Sequence, residues 1–252
     1  MSIFSTVNIA EEISRERLSL LSQNYVDVSK IDAGYLEEIV LSSEAEVEHR
    51  LMVPLSPVEI FPHNPTAEEL EDIGDKPWKV EPGYDLPPGH FTPGRWGMLR
   101  LRIRPIISVH SMSLVHPTTR STVYEVPESW IIPDHAAGTV TVLPSTDIAN
   151  GHLSMFLLQA ISSGYEIPHI IRVRYTAGLK DVHGDYPQIP SLIKQLAVAR
   201  LIEGSILPQS GSISGDGLSE SFSTDISKTI ETIEARIDRL RDRILGPRIV
   251  FA

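Results

Sequence analysis

Six large aliphatic residues near the C-terminus constrain the fold of this chain more than any other stretch. They are Ile226, Ile230, Ile233, Ile237, Leu240 and Ile244, alternating steps of four and three. That spacing is a heptad seam, narrower than the apolar stripe of most globular helices. The intervening positions include Glu231, Glu234, Arg236, Asp238, Arg239, Arg241, Asp242 and Arg243, an outer face dense in both charge signs. At ~1.5 Å per residue the predicted helix is a rod of roughly 30 Å. Its seam needs cover, either from another helix of the same chain or from a neighbouring subunit. The preceding residues 209–224, QSGSISGDGLSESFST, read as a flexible Gly/Ser linker. Gly246-Pro247 stops the helix and leaves the short tail Arg248, Ile249, Val250, Phe251. The expectation is a detachable helix whose seam is bare in a solitary subunit.

The 252 residues allow one large domain or two smaller ones, and no apolar run approaches the ~18 residues of a membrane span. The opening MSIFSTVNIAEEISRER lacks the basic start and apolar core of a secretion signal, and the absence of cysteine suits a cytoplasmic origin. With no cysteine, disulfides, thiolate metal sites and cysteine nucleophiles are excluded. Net charge is −11 and unevenly spread. Residues 1–75 hold sixteen acidic and four basic groups, a net of −12, while the remainder nearly balances. Such a surface disfavours a grip on nucleic acid, though it would suit a channel through which DNA slides.

Along the chain, Thr6 or Asn8 would cap a first helix reaching about Leu21. Asp32 would cap a second, with Leu36, Ile39, Val40, Val47 and Leu51 on one face and Pro54 ending it. Residues 53–104 hold nine of the nineteen prolines and read as an extended excursion with at most a brief helix at Thr66–Ile73. From Leu99 to Thr176 the periodicity is two, predicting six or seven short antiparallel strands, one of them at Leu153–Ile161. Pro190 opens a helix that is apolar nearly all round and therefore central. The predicted class is α+β: an α-helical bundle core with an inserted antiparallel β module and a long C-terminal helix. Its segments are N-terminal helices at 1–52, the Pro-rich excursion at 53–104, the β module at 105–176, a core helix at 189–208, the linker at 209–224, and the final helix and tail at 225–252.

No complete catalytic constellation emerges. Asp181, His183 and Asp185 alternate as three ligands would, yet Gly184-Asp185 before Tyr186-Pro187 reads as turn chemistry. Glu68, Glu69, Glu71 and Asp72 crowd one helical turn and read as solvated charge. The glycines at 211–217 lack the Gly-Lys-Ser/Thr ending of a phosphate loop. No catalytic residue, metal or cofactor is expected. Arg100, Arg102 and Arg104 would share one face of a strand and present it to a neighbouring subunit or to DNA. Trp78, Trp96 and Trp130 leave a second reading open, in which the β module of a tail or baseplate component binds carbohydrate or a receptor.

Several phrases together carry a family resemblance. They are DAGYLEEIV with Glu44 to Leu51, then RPIISVHSM, VYEVPESWII and GTVTVLP, then Ile189-Pro190-Ser191-Leu192 through Arg200, GLSESFS and the final helix. The chain resembles the head-completion adaptors, or head–tail connectors, of tailed bacteriophages, best over 30–52 and 189–245 and more loosely over 105–176. The resemblance implies a non-enzymatic virion protein at the head–tail neck, assembled in the host cytoplasm. Its partners would be a homo-oligomeric ring, a dodecamer, with the portal protein on one side and a stopper or tail-completion protein on the other. The ring would extend the channel around packaged DNA without contacting a membrane. The portal-binding element it implies is Ile226, Ile230, Ile233, Ile237, Leu240, Ile244 and the tail Arg248–Phe251. The Pro-rich excursion departs from the small family members.

Overall fold

The structure, a computed structural model, describes residues 3–4, 32–90, 97–116, 119–143, 166–204, 210–215, 218–223 and 226–246. The predicted first helix, the strand at Leu153–Ile161, Trp96 and the tail Arg248–Phe251 lie outside the described residues. The protein is α+β, and its chain divides into two compact units, residues 1–52 with 181–243 and residues 53–180 with 244–252.

The first unit is helical. Helix α1 (Ala33–Leu51) starts where the Asp32 side chain accepts from the Tyr35 amide, and it ends at Met52, whose amide closes onto Glu48 and His49. Leu36, Val40, Val47 and Leu51 are buried, as their three-to-four spacing dictates.

The second unit takes in the Pro-rich residues, and here the sequence expectation needs correction. They form ordered sheet, with strands β1 (Val58–Phe61), β2 (Trp78–Val80), β3 (Tyr84–Leu86) and β4 (Leu99–Arg100), and the capped helix α2 (Ala67–Ile73). The prolines at 54, 57, 62, 65, 77, 82, 87 and 88 flank these strands, where no ladder amide is lost. Strands β1 and β2 are parallel, joined across α2, whereas the described strand pairs of the predicted 105–176 module are antiparallel.

Strands β5 (Ile106–Val115), β6 (Thr122–Glu125), β7 (Ile131–Asp134), β8 (Thr139–Val142) and β9 (Ile167–Ala177) follow the two-residue periodicity. A six-stranded sheet runs β2-β1-β9-β5-β6, with β3 also on β9, and a three-stranded sheet runs β4-β8-β7. One apolar core serves both sheets, with Met112, Leu114 and Ile171 from the larger and Leu99, Val140 and Val142 from the smaller.

The chain then returns to the helical unit through the turn α3 (Val182–Asp185) and helix α4 (Gln188–Gly204). Ile189, Ile193, Leu196 and Leu201 are all buried, and α1 packs against α4. The predicted Gly/Ser linker is a hairpin: β10 (Ser210–Gly215) pairs antiparallel with β11 (Leu218–Ser223), Gly215 opposite Leu218. Between them the sequence is Asp216-Gly217, the dipeptide two-residue hairpin turns favour, and serine takes every second position on both sides. That alternation outweighs the glycine content. Helix α5 (Ile226–Leu245) completes the described chain, with Gly246 after it at φ +71°.

Candidate functional site

Helix α5 places its seam inward. Ile233, Ile237, Leu240 and Ile244 are buried in the single chain and Ile230 is half-buried, while Ile226 begins the helix. This overturns the expectation of a bare seam. Period-3.5 spacing specifies that a partner is needed but not which, and here the subunit itself provides it. An Arg50–Glu234 ion pair ties α5 to α1 at 2.5 Å, and Arg236 reaches the Gln195 amide oxygen of α4 at 3.5 Å. Both tethers are partly exposed, so each contributes at most about 1 kcal/mol, and the buried aliphatics carry the packing.

A groove of about 490 Å³ separates α4 from α5. Pro187, Gln188, Ser191, Leu192 and Gln195 form one wall; Arg236, Arg239, Leu240 and Arg243 form the other. The three arginines stand at i, i+3 and i+7, on one side of the helix. All three are exposed, and no carboxylate belongs to the lining. By contrast, Arg241, outside the groove, is paired with Asp238 and Asp242 at 3.1 and 3.2 Å. Sequence reading placed these groove arginines on an undifferentiated charged face. Their shared spacing was the signal that separates them from Arg241.

The predicted basic strand does not form. Strand β4 ends at Arg100, and Arg102 and Arg104 follow in bent chain. Arg102 lies 4.2 Å over the Tyr84 ring and donates to Glu81 Oε1 at 2.9 Å and to the Pro82 carbonyl at 2.7 Å. Arg104 lays its stem over Gly138, where an added Cβ would come within 2.1 Å of Arg104 Cδ. Burial, and then the Arg100 cation, lower the Arg104 pKa. Two of the three arginines are thus tied into their own unit.

Two buried carboxyl groups organise the β unit, and sequence reading missed both. Glu81 accepts from the Tyr84 and Tyr175 hydroxyls, one on each oxygen, and from Arg102. The phenol oxygens in turn accept the Arg102 and Ile103 amides, at 3.0 and 3.3 Å. Burial first, with the bonds to Glu81 among the further causes, raises both tyrosine pKa values. Glu59 meets Arg174 at 3.1 Å, Thr176 at 2.7 Å and His110 at 3.4 Å, across three adjacent strands. His110 falls where the register slips between Val109 and Ser111, and that irregularity sets its placement. Both carboxyl groups find their partners within the β unit. The signals available were single glutamates within the apolar run Val58–Phe61 and beside the turn Pro82-Gly83.

Asp181 and His183 act locally. Asp181 Oδ1 accepts the Gly184 amide at 2.9 Å, and His183 bonds the Ile3 carbonyl oxygen at 3.1 Å with its ring edge-on to Phe4. Among the described residues no three His, Asp or Glu side chains converge as a metal would require. No described helix is long and apolar enough to cross a membrane. Trp130 is buried against Tyr124 within the core, which removes it as a stacking platform, whereas Trp78 is exposed on the edge strand β2.

The molecule is therefore an α+β chain made of a helical unit with a basic groove and a two-sheet β unit. No protein-family model and no curated protein matches the sequence. Among solved structures it is similar to a chain from the neck of an empty gene transfer agent particle computed with C6 symmetry, at 14% identity and TM-score 0.44, covering 98% of this chain and 93% of that one. A chain from the virion of a native gene transfer agent particle is similar at 15% identity and TM-score 0.44, covering 100% and 95%. Likeness at that level is too loose to carry a function across.

Proposed function

We propose that this chain is a structural virion protein, a ring-forming head-completion adaptor that joins a portal to a stopper or tail protein and extends the DNA channel. One observation carries the reading. The two segments that best resemble that family, 30–52 and 189–245, are separated by the whole β unit, yet α1, α4 and most of α5 belong to one compact unit. A helical-bundle core with the β module inserted into it is the arrangement the family implies. The twelvefold ring and the neck location come from the same resemblance.

The portal-binding element shifts within this reading. Because the seam from Ile233 to Ile244 is turned inward, portal contact falls to the tail Arg248, Ile249, Val250 and Phe251 and to the outer side of α5. The test uses purified portal with the full chain and with a variant ending at Gly246, followed by light scattering on eluted complexes and circular dichroism. The full chain co-elutes with portal; the shortened one keeps its helical signal and elutes alone. A full chain that stays monomeric and ignores portal overturns the reading.

A further inference from the structure

We infer that the groove between α4 and α5 receives the exposed acidic face of α1 from a second copy of this chain. The inference rests on the ring-forming reading and assigns the surfaces that close it.

The groove is incomplete as it stands. Arg236, Arg239 and Arg243 span about 10 Å of helix with like charges one turn apart, a repulsive arrangement when unpaired. Beneath them lie Leu192 and Leu240, and opposite stand the amides of Gln188 and Gln195. Both leucines are already buried within the chain, so the open demand of this surface is for carboxylates to pair with the guanidinium groups.

The first half of α1 has that composition. Glu37 and Glu38 are exposed, and they sit between Tyr35 and Leu41, which are 45% and 44% exposed. At helical spacing Glu37, Glu38 and Leu41 share a stripe, with Tyr35 beside it. The opposite face of α1, through Leu36, Val40 and Val47, is buried, and α1 packs on α4. The Arg200 pairs with Ser42 and Glu46 place that contact toward the C-terminal half of α4, whereas the groove lies along its N-terminal half. The acidic stripe of a chain therefore points away from its own groove. Groove and stripe are different surfaces, so pairing is head to tail, which builds rings when the rotation closes. A polyanion is a poorer occupant, because the chain's charge of −11 repels it at a distance.

The test is sedimentation velocity on the full chain over a range of concentrations at low and high salt, with circular dichroism on every variant. Wild type associates, more weakly at high salt. Arg239→Glu with Arg243→Glu, and separately Glu37→Lys with Glu38→Lys, weaken association about tenfold or more. An equimolar mixture of the two variants restores it, because each reversed groove then meets a reversed stripe. Association unchanged in both variants sinks this pairing but leaves the ring reading standing. So does a loss that mixing fails to relieve. Arginine reversal that abolishes retention of duplex DNA while self-association persists reassigns the groove to nucleic acid. A wild-type chain monomeric throughout overturns the pairing, and with no response to portal it overturns the ring reading too.

Discussion

Tyr84 and Tyr175 show how much of the β unit depends on single polar atoms. Each spends its hydroxyl proton on Glu81 and accepts a backbone amide, so the loop at 101–103 is held to β3 and β9 through two phenols. Tyr175→Phe strands one buried carboxyl oxygen and one amide, a loss of about 1–3 kcal/mol readable in urea unfolding. The raised tyrosine pKa values give a second signature. The folded chain keeps these protons when the unfolded chain, titrating near the ordinary value of about 10, has begun to lose them. Stability from this source is therefore intact below about pH 10 and declines as pH rises beyond it. Tyr175→Phe shallows that decline; an alkaline limb identical to wild type removes the account. Glu69 runs the other way. Its bond to the Thr66 amide, the main cause, lowers its pKa, so its contribution is present above the ordinary carboxylate range and lost as pH falls through the depressed value. Thr66→Ala breaks the same capping box and costs about 1 kcal/mol, measured by thermal unfolding at neutral pH.

Among the elements, α5 and the hairpin show what was legible in the sequence and what was not. The length and face of α5 follow from residues 226–244 alone, because helical spacing is local. Its burial does not, because cover for Ile237 comes from whatever the rest of the chain folds into. The alternating strands β5 to β9 were legible for the same local reason. By contrast, β1 and β2 were obscured because prolines at strand borders resemble prolines in loops until pairing partners are known. Serine-rich β10 and β11 lack the apolar contrast that marks most strands. Glu81 and the groove arginines depend on contacts between distant residues, and no window of sequence contains them. The buried seam has a measurable consequence. Ile237, fully buried, loses about 2–5 kcal/mol on substitution by Ala, whereas Arg239→Ala on the exposed side changes stability by less than about 0.5 kcal/mol. Denaturant midpoints compare the two, and equal small effects place the seam outside the folded interior. Truncation after Thr224 is expected to unfold the helical unit, in contrast with the clean detachment a bare seam implied.

At the scale of the whole molecule, the β unit has the properties of an insertion that closes on itself. Its first and last residues are joined by its own bonds: the Leu179 amide to the Pro54 carbonyl at 3.0 Å, the Gly178 amide to Pro105 at 2.9 Å, and Val58 beside Ala177 in the ladder. Gly178 makes this closure possible at φ +116°, where an added Cβ would lie 2.5 Å from the Ser56 oxygen. With adjacent ends and a core of its own, residues 53–180 need no help from α1 or α4 to define their topology. Expressed alone, 53–180 is expected to give a dispersed amide spectrum and one cooperative melt. Gly178→Val in that fragment lowers the melting temperature by roughly 3–5 °C for each kcal/mol of strain it introduces. A fragment that melts without cooperativity overturns this account of a self-closed insertion.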